Sequence, residues 1–501
     1  SDSSAGPPVT GPLREAWLGA RSDAVVASHP LLATAQIGVA VVDPVTEQVV
    51  YQRDGHGHYN LASAAKILTT AAALALLGPD FRWRTGIYAA AVDGHGIVTG
   101  DLHVRGRGDP TIGTGELRAI VDELVGSGIT GVRGGLVLDT TYFDGDDEPP
   151  HFAEQPKSRA SFRAPIGALS LSFNAAAVVV APARDGVSAA AIKLDPPGDH
   201  VRIARAAVQT VRTGRTRVSV NVVKRKDHLE VSVSGQLRAD AGVTRYRVRV
   251  DDPAAFFAAT FTAMLDARGV HVGKRTVGFA PVPLTAKPLL VHDSDPLAIV
   301  IRGLGKFSNN YVAETLLKTI GAEVKLQGLV AAATPPDGAT PPATAVEPVV
   351  AAAWRDGLGA VDRFLVERAG LAEGSFRYEN GSGLFAASDL SPLALTAMLT
   401  AAHRDFRWGT ELAASLSIAG RDGTLRNRMI GTAAERRIRA KTGTLDAVAT
   451  LAGYAGVDGR HPLAFAILVN AIPAAGRADA RPMIDAMAAS VVEFLDDEVP
   501  P

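Results

Sequence analysis

The strongest runs with strand character lie at opposite ends of the chain. Thr34 to Val42 is apolar and partly β-branched, and Gln48 to Gln52 returns after the turn Asp43-Pro44-Val45-Thr46. Far downstream, Arg437 to Thr442, Val448 to Val457 and Leu463 to Asn470 follow one another, the last two joined by the hairpin sequence Asp458-Gly459. Such distant strands share a sheet only if the intervening chain leaves it and comes back. The expected fold class is therefore α/β (α+β), with one five-stranded antiparallel sheet built from both chain ends. Helices at Pro12 to Ala27 and Ala478 to Leu495 would cover one face. An apolar helix ending near Leu77 and a helical middle region would cover the other, with Lys441 to Thr444 at the end of a central strand.

At 501 residues the chain exceeds what one ordinary core holds. Its hydrophobic share of 47% and charged share of 21% are those of a folded soluble protein. From about Trp83 to Val277 short β-like runs alternate with Gly and Asp turns: Gly86 to Val92, Gly100 to Gly106, Gly134 to Leu138 and Ala175 to Val180. The expected division has a discontinuous main domain at 12–84 and 281–501, and an inserted accessory domain at 85–182 and 251–280. Nested within it is a β-rich segment at 183–250, and 331–348 reads as a flexible Pro/Ala-rich loop. Helical patterns are read at Asp251 to Gly269, Leu297 to Gly303, Asn310 to Ile320 and Val349 to Ala369. Val201 to Val250 holds twelve Lys and Arg against three acidic residues. That composition fits contact with a polyanion such as a cell-wall polymer. Because the charges alternate along strands, solvated strand faces and protected edges are the preferred reading.

The net charge of −1 gives no global field for nucleic acid. The absence of cysteine excludes a disulfide framework, thiolate zinc sites and a thiol nucleophile, and is compatible with export. No apolar run reaches the roughly 18 residues needed to span a bilayer. The polar opening Ser1 to Gly11 reads as a mature or trimmed N-terminus, so an exported location, periplasm or cell envelope, is expected.

In Asn60-Leu61-Ala62-Ser63-Ala64-Ala65-Lys66-Ile67-Leu68-Thr69-Thr70 a loop runs into an apolar, buried helix. Ser63 and Lys66 are three residues apart, on one helical face. A serine hydroxyl needs a base to act as a nucleophile, and a lysine can be that base if burial and other cations depress its pKa. Two further motifs follow in order. Ser308-Asn309-Asn310 sits in a break between helices, and Lys441-Thr442-Gly443-Thr444 ends a strand. A glycine on a strand permits close approach of a substrate or another backbone. Ser-x-x-Lys, Ser-x-Asn and Lys-Thr-Gly, in that order, are the set found in penicillin-binding proteins and serine β-lactamases.

Longer stretches narrow the resemblance. Gly100-Asp101-Leu102, Gly108-Asp109-Pro110, Ala164-Pro165 through Asn174, Asn380-Gly381-Ser382-Gly383-Leu384, Gly420-Arg421-Asp422-Gly423-Thr424-Leu425 and Gly453-Tyr454 are the stretches concerned. From about 34 to 490 the chain resembles the class C low-molecular-mass penicillin-binding proteins, the D-alanyl-D-alanine carboxypeptidase/endopeptidase family. Asn380 stands where that family usually has Asp, and Phe385-Ala386 replace Ser-Arg. The resemblance implies a penicillin-binding, serine β-lactamase-like catalytic domain with a large insertion. It implies a serine hydrolase of peptidoglycan stem peptides that works through an acyl-enzyme, is acylated by β-lactams and needs no metal or cofactor. Ser63 would be the nucleophile, Lys66 the base, Ser308 a proton relay and Asn310 a partner of Lys66 and the substrate amide. Lys441 would add positive charge. Thr442 and Thr444 would bind the substrate carboxylate, with Gly443 and Ser382 also in the binding region. The N–H groups of Ser63 and Thr444 would form the oxyanion hole.

Other residues are set aside. His56 and His58 lack further metal ligands. Gly106-x-Gly108 and Gly303-Leu304-Gly305-Lys306 lack nucleotide-loop context. Asp139 to Asp144 reads as a strand end rather than the entrance for the donor peptide. The alternatives to a carboxypeptidase are a β-lactamase or esterase, which needs a dedicated base for deacylation, and a catalytically silent wall-binding scaffold. Carboxypeptidase against endopeptidase, the third stem-peptide residue and the oligomeric state are not legible.

Overall fold

The computed structural model describes residues 12–154, 158–333, 348–385 and 387–496. Most of the loop expected at 331–348 lies outside them. The chain divides into two compact units. One comprises Ser1–Phe81, Pro296–Val324 and Trp354–Pro501; the other comprises Arg82–Asp295 and Lys325–Ala353.

The first unit is built on an antiparallel sheet of strands β1 (Gln36–Val42), β2 (Val49–Arg53), β3 (Ser417–Ile418), β4 (Ile438–Leu445), β5 (Val448–Ala455) and β6 (Leu463–Asn470). Their spatial order is β2-β1-β6-β5-β4-β3, so the two chain ends meet where Gln36 pairs with Asn470 and Val42 with Ala464. The sheet has six strands rather than the expected five. The added β3 is only two residues long, too short to leave a periodic trace in the sequence. The Lys441 strand is also not central. It is the outermost full-length strand, and β3 covers it only opposite Arg439 and Ala440.

Helices α1 (Pro12–Ala27) and α8 (Arg477–Leu495) pack together on one face of this sheet. Leu18, Ile484, Met487 and Val491 join Val39, Phe465 and Ile467 in a single core. The other helices of this unit are α2 (Lys66–Leu77), α3 (Leu297–Phe307), α4 (Asn310–Ala333, of which the part up to Val324 belongs here), α5 (Trp354–Glu367), α6 (Pro392–Arg404) and α7 (Gly409–Ser415). Of these, α6 lies against β1, β5 and β6. Every residue of α2 from Lys66 to Leu74 is buried, as an all-round apolar pattern requires. The helix expected from Val349 begins only at Trp354, because Ala352 is in extended pairing with Phe143.

The second unit has its own core, in which Leu102, Val104 and Leu138 meet Phe257, Phe261 and Leu265. A five-stranded sheet orders Val277–Phe279, Leu136–Asp139, Leu102–Arg105, Arg84–Ala89 and Lys287–Asp293. The nested segment contributes a three-stranded sheet of Val201–Val211, Leu229–Arg238 and Arg217–Lys224. Another three-stranded sheet sets Ala175–Ala181 between Ala191–Asp195 and Thr244–Arg249. Asp139 closes its strand by accepting from Thr141 and Val282 and by pairing with Arg105.

Candidate active site

Ser63 sits in a 3-10 turn, Ala62–Ala65, that runs directly into α2. The turn is tied down at several points. The Asn470 side chain accepts from the Asn60 N–H and donates to the Asn60 carbonyl. Leu61 receives a hydrogen bond from Thr450 Oγ1 at 3.0 Å and donates its N–H to Ser388. Ala62 adopts a φ of +46°, in the left-handed region that costs a non-glycine residue of the order of 1 kcal/mol. Its N–H is held by Asn60 Oδ1 at 2.8 Å.

The glycine of Lys441-Thr442-Gly443 has a structural reason. A Cβ there would lie 2.2 Å from Thr450 Oγ1, 2.6 Å from the Leu61 carbonyl and 3.0 Å from the Ser63 N–H nitrogen. The close approach that a strand glycine permits is therefore made by the turn that carries Ser63. Gly383 does the same from the other side. Its φ is +69°, and a Cβ would fall 1.8 Å from the Ala62 carbonyl.

The structure gathers Ser63, Lys66, Asn310, Ser308 and Lys441 as two hydrogen-bonded groups, Ser63–Lys66–Asn310 and Ser308–Lys441, close enough for the Lys441 charge to act on Lys66. Lys66 Nζ lies 2.9 Å from Ser63 Oγ, 2.8 Å from Asn310 Oδ1 and 2.6 Å from the Ser382 carbonyl oxygen. Lys441 Nζ lies 2.9 Å from Ser308 Oγ and 2.8 Å from its neighbour's carbonyl at Thr442. Ser308 reaches this position because it ends α3 in the left-handed conformation, φ +58°, before Asn310 opens α4. Thr442 Oγ1 lies 2.9 Å from Thr424 Oγ1. Thr444 is exposed on β4. Ser382 meets the group through its carbonyl, while its buried hydroxyl accepts from the Leu384 N–H.

Both lysines are 1% exposed. Burial, then the nearby Lys441 ammonium, push the Lys66 amine well below the usual lysine range, and Glu314 opposes them. Burial alone takes Lys441 down to about 7. A buried, weakly basic amine beside a serine hydroxyl can accept its proton.

The chain matches the model of the D-Ala-D-Ala carboxypeptidase 3 (S13) family over residues 18–335 and 342–492. It belongs to that family. It is 32% identical to a D-alanyl-D-alanine carboxypeptidase of Actinomadura sp. (strain R39), over 95% of this chain and 85% of the relative. It is 23% identical to D-alanyl-D-alanine carboxypeptidase DacB of Haemophilus influenzae, over 84% and 83% of the two chains. In fold it is similar to the crystal structure of penicillin binding protein 4 (dacB) from Haemophilus influenzae. The TM-score is 0.73 at 22% identity, covering 95% of this chain and 99% of that one. A structure of the same protein complexed with a β-lactam matches with a TM-score of 0.68.

Within this S13 enzyme, several residues of the cluster were not found by sequence reasoning. Glu314, 4% exposed, accepts from the N–H groups of Gly381 and Ser382, both at 2.9 Å. Its position four residues after Asn310 on an apolar helix was the available signal: an acid at a core position demands a partner. Thr424 belongs to a stretch that carried the family resemblance, yet its contact with Thr442 needed the fold. Asn380, where Asp is usual, closes its own turn. Its amide donates to the Leu384 carbonyl at 3.0 Å and accepts from Gly383 at 2.8 Å. A carboxylate could make only the second bond. Among the described residues no group of three or more His, Asp or Glu is arranged to hold a metal ion.

Proposed function

We propose that Ser63 is the acylated nucleophile of this serine-type D-Ala-D-Ala carboxypeptidase and Lys66 its base. The observation that carries the reading is the threefold environment of the Lys66 nitrogen. Asn310 Oδ1 and the Ser382 carbonyl can only accept, so they take the two N–H bonds of a neutral amine. Its third contact, with Ser63 Oγ at 2.9 Å, is then the one left for the lone pair of that neutral amine to accept the serine proton.

Ser63 Oγ then attacks the carbonyl carbon of the bond between the two terminal D-alanines as its proton passes to Lys66. The tetrahedral intermediate collapses, the C–N bond breaks, and the departing amine takes the proton that Lys66 received, relayed through Ser308, which Lys441 holds. Lys66, neutral again, takes a proton from water as the water attacks the acyl-enzyme carbonyl, and returns it to Ser63 Oγ when the ester C–O bond breaks. Thr442 and Thr444, with Lys441 beside them, bind the substrate's terminal carboxylate. The N–H groups of Ser63 and Thr444 stabilise the developing oxyanion, each donor contributing about 2.7–4 kcal/mol in the transition state. The stretch of β4 after Ala440 supports this placement. Among the described residues no strand pairs with its outer side there, so its main chain is open to an extended peptide.

The substrates proposed are peptidoglycan stem peptides, with D-Ala–diaminopimelate cross-links as endopeptidase substrates, and β-lactams as acylating inhibitors. The β-lactam complex of the Haemophilus influenzae protein supports the last of these. Such substrates place the enzyme outside the cytoplasm, in the periplasm or cell envelope. Among the described residues no helix is long and apolar enough to cross a membrane.

Labelling with a fluorescent penicillin tests the reading. A stable label on the wild type, absent from Ser63→Ala and strongly slowed in Lys66→Ala, is expected. Wild-type labelling of Lys66→Ala would show that the base is misassigned, and rapid release of label would mark a β-lactamase. Mass spectrometry of digested muropeptides separates carboxypeptidase from endopeptidase products.

A further inference from the structure

Glu314 is a buried carboxylate that the mechanism above does not use. Its two oxygens each face a main-chain N–H, of Gly381 and of Ser382, the arrangement of an ionised carboxylate. The peptide unit between those residues is therefore held from one side. The next carbonyl, that of Ser382, accepts from Lys66 at 2.6 Å. From another direction the Gly381 carbonyl accepts from Thr69 Oγ1 at 2.7 Å, itself 2.6 Å from the Tyr378 hydroxyl. We propose that Glu314 is a positioning residue for the general base: it fixes the Ser382 carbonyl that orients the Lys66 amine, and places a buried carboxylate near that amine.

The proposal rests on Lys66 being the base. The titratable groups around the pair are Lys441 on β4 and Tyr378 beside Thr69. Asp362 acts on Tyr378, and Lys318, four residues along α4, has its ammonium 4.8 Å from the Trp354 ring centre. Glu314 favours the charged amine, opposing burial and Lys441. Its removal therefore favours the neutral base.

The test is the pH dependence of β-lactam acylation in Glu314→Gln and Glu314→Asp, both checked for native near-ultraviolet dichroism. Glu314→Gln puts an NH2 against a backbone N–H and deletes the charge. Its acylation rate should fall roughly tenfold or more, and its acidic limb should move to lower pH. Glu314→Asp keeps the charge but cannot span both N–H groups. It should lose rate with its limb unmoved. An unmoved limb in Glu314→Gln, or wild-type rates in both variants, overturns the proposal. If Glu314→Gln fails to fold, Glu314→Asp at wild-type rate overturns it alone. Wild-type labelling of Lys66→Ala would instead overturn the assignment of the base.

A separate observation concerns the nested β-segment. Residues 183–250 hold fourteen of the 51 Lys and Arg but only six of the 52 acidic residues, leaving 37 against 46 elsewhere. Eleven of the fourteen are arginine, whose planar fork suits carboxylates. Strands Arg217–Lys224 and Thr244–Arg249 are each outermost in their sheets, and their residues flank a groove of about 650 Å3. Asn221, Arg245, Tyr246 and Arg247 line it, together with Arg159, which is paired to Asp251. Among the described residues no carboxylate pairs with Arg205, Arg217, Arg245 or Arg247.

We infer that this groove binds the carboxylate-bearing peptidoglycan polymer rather than the scissile peptide. This too rests on the proposed substrate. The test compares wild type with Arg245→Ser/Arg247→Ser in two assays: co-sedimentation with insoluble peptidoglycan, native or with its carboxylates amidated, and turnover of a short soluble peptide ending in D-Ala–D-Ala. Wild-type co-sedimentation should weaken with salt and with amidation, and the variant should bind native polymer roughly fivefold more weakly. Soluble turnover should be unchanged. Equal co-sedimentation of variant and wild type, or equal binding to amidated polymer, overturns the inference. Failure of the wild type to turn over the soluble peptide would instead refute the substrate reading.

Discussion

The turn that carries Ser63 is held in place by residues whose own roles are mostly steric. Gly443 is the sharpest case. Alanine there would drive a methyl group into Thr450 and Leu61 and displace the Ser63 turn. Gly443→Ala is expected to lower the acylation rate about a hundredfold, as a shift near 1 Å does, with about 1–3 kcal/mol of stability lost. Stopped-flow acylation and urea unfolding measure the two. The lysines set the pH response. With Lys66 as the proposed base, acylation needs its neutral form, so the rate should rise with pH along a limb well below the ordinary lysine value of 10.5. Lys441, at about 7, loses its charge as pH rises through neutrality, and its attraction for the substrate carboxylate goes with it. KM for a D-Ala–D-Ala peptide should accordingly increase above about pH 7, and a flat KM from pH 6 to about pH 9 would refute that role for Lys441.

At the scale of elements, the site is a junction of one strand, one 3-10 turn and one helix break. Lys441 comes from β4, Ser63 from the turn before α2, and Ser308 with Asn310 from the break between α3 and α4. Turn and sheet are kept in register by the Thr450–Leu61 bond and by the Asn60–Asn470 pair, which ties the turn to the end of β6. Asn470→Ala removes two hydrogen bonds and leaves the Asn60 main chain unpaired. About 1–3 kcal/mol of stability should be lost, and β-lactam acylation should slow with it. Unchanged acylation would show that the remaining ties, the Leu61 bonds to Thr450 and Ser388 and the close approach of Gly443 and Gly383, suffice to hold the turn. The short β3 has a consequence too. By ending opposite Ala440 it leaves the later part of β4 with no strand on its outer side among the described residues.

On the scale of the whole molecule, two units each have a separate core. Differential scanning calorimetry should resolve two transitions. Saturation with a β-lactam should raise only one of them, that of the unit carrying Ser63. A single transition that shifts as a whole would show the cores to be cooperative. The charge is divided as well: a chain of net charge −1 contains a 183–250 segment with eight more basic than acidic residues. Global neutrality therefore says little about what this protein can hold.

The sequence alone determined which candidate catalytic groups the chain offers. Ser63 with Lys66, Ser308 with Asn310, and Lys441 to Thr444 are local patterns, and helical or strand spacing is enough to show them. The return of the chain to one sheet was legible as well, because strands buried on both faces are continuously apolar whichever chain end supplies them. Tertiary structure decided everything that depends on distance between segments. Glu314 is an unremarkable acid on a helix until its oxygens meet the Gly381 and Ser382 N–H groups. Gly443 reads only as freedom of approach until Leu61 and Ser63 fill the space. Hydrogen bonds and steric contacts act over a few ångströms in space, whereas sequence patterns report only neighbours along the chain.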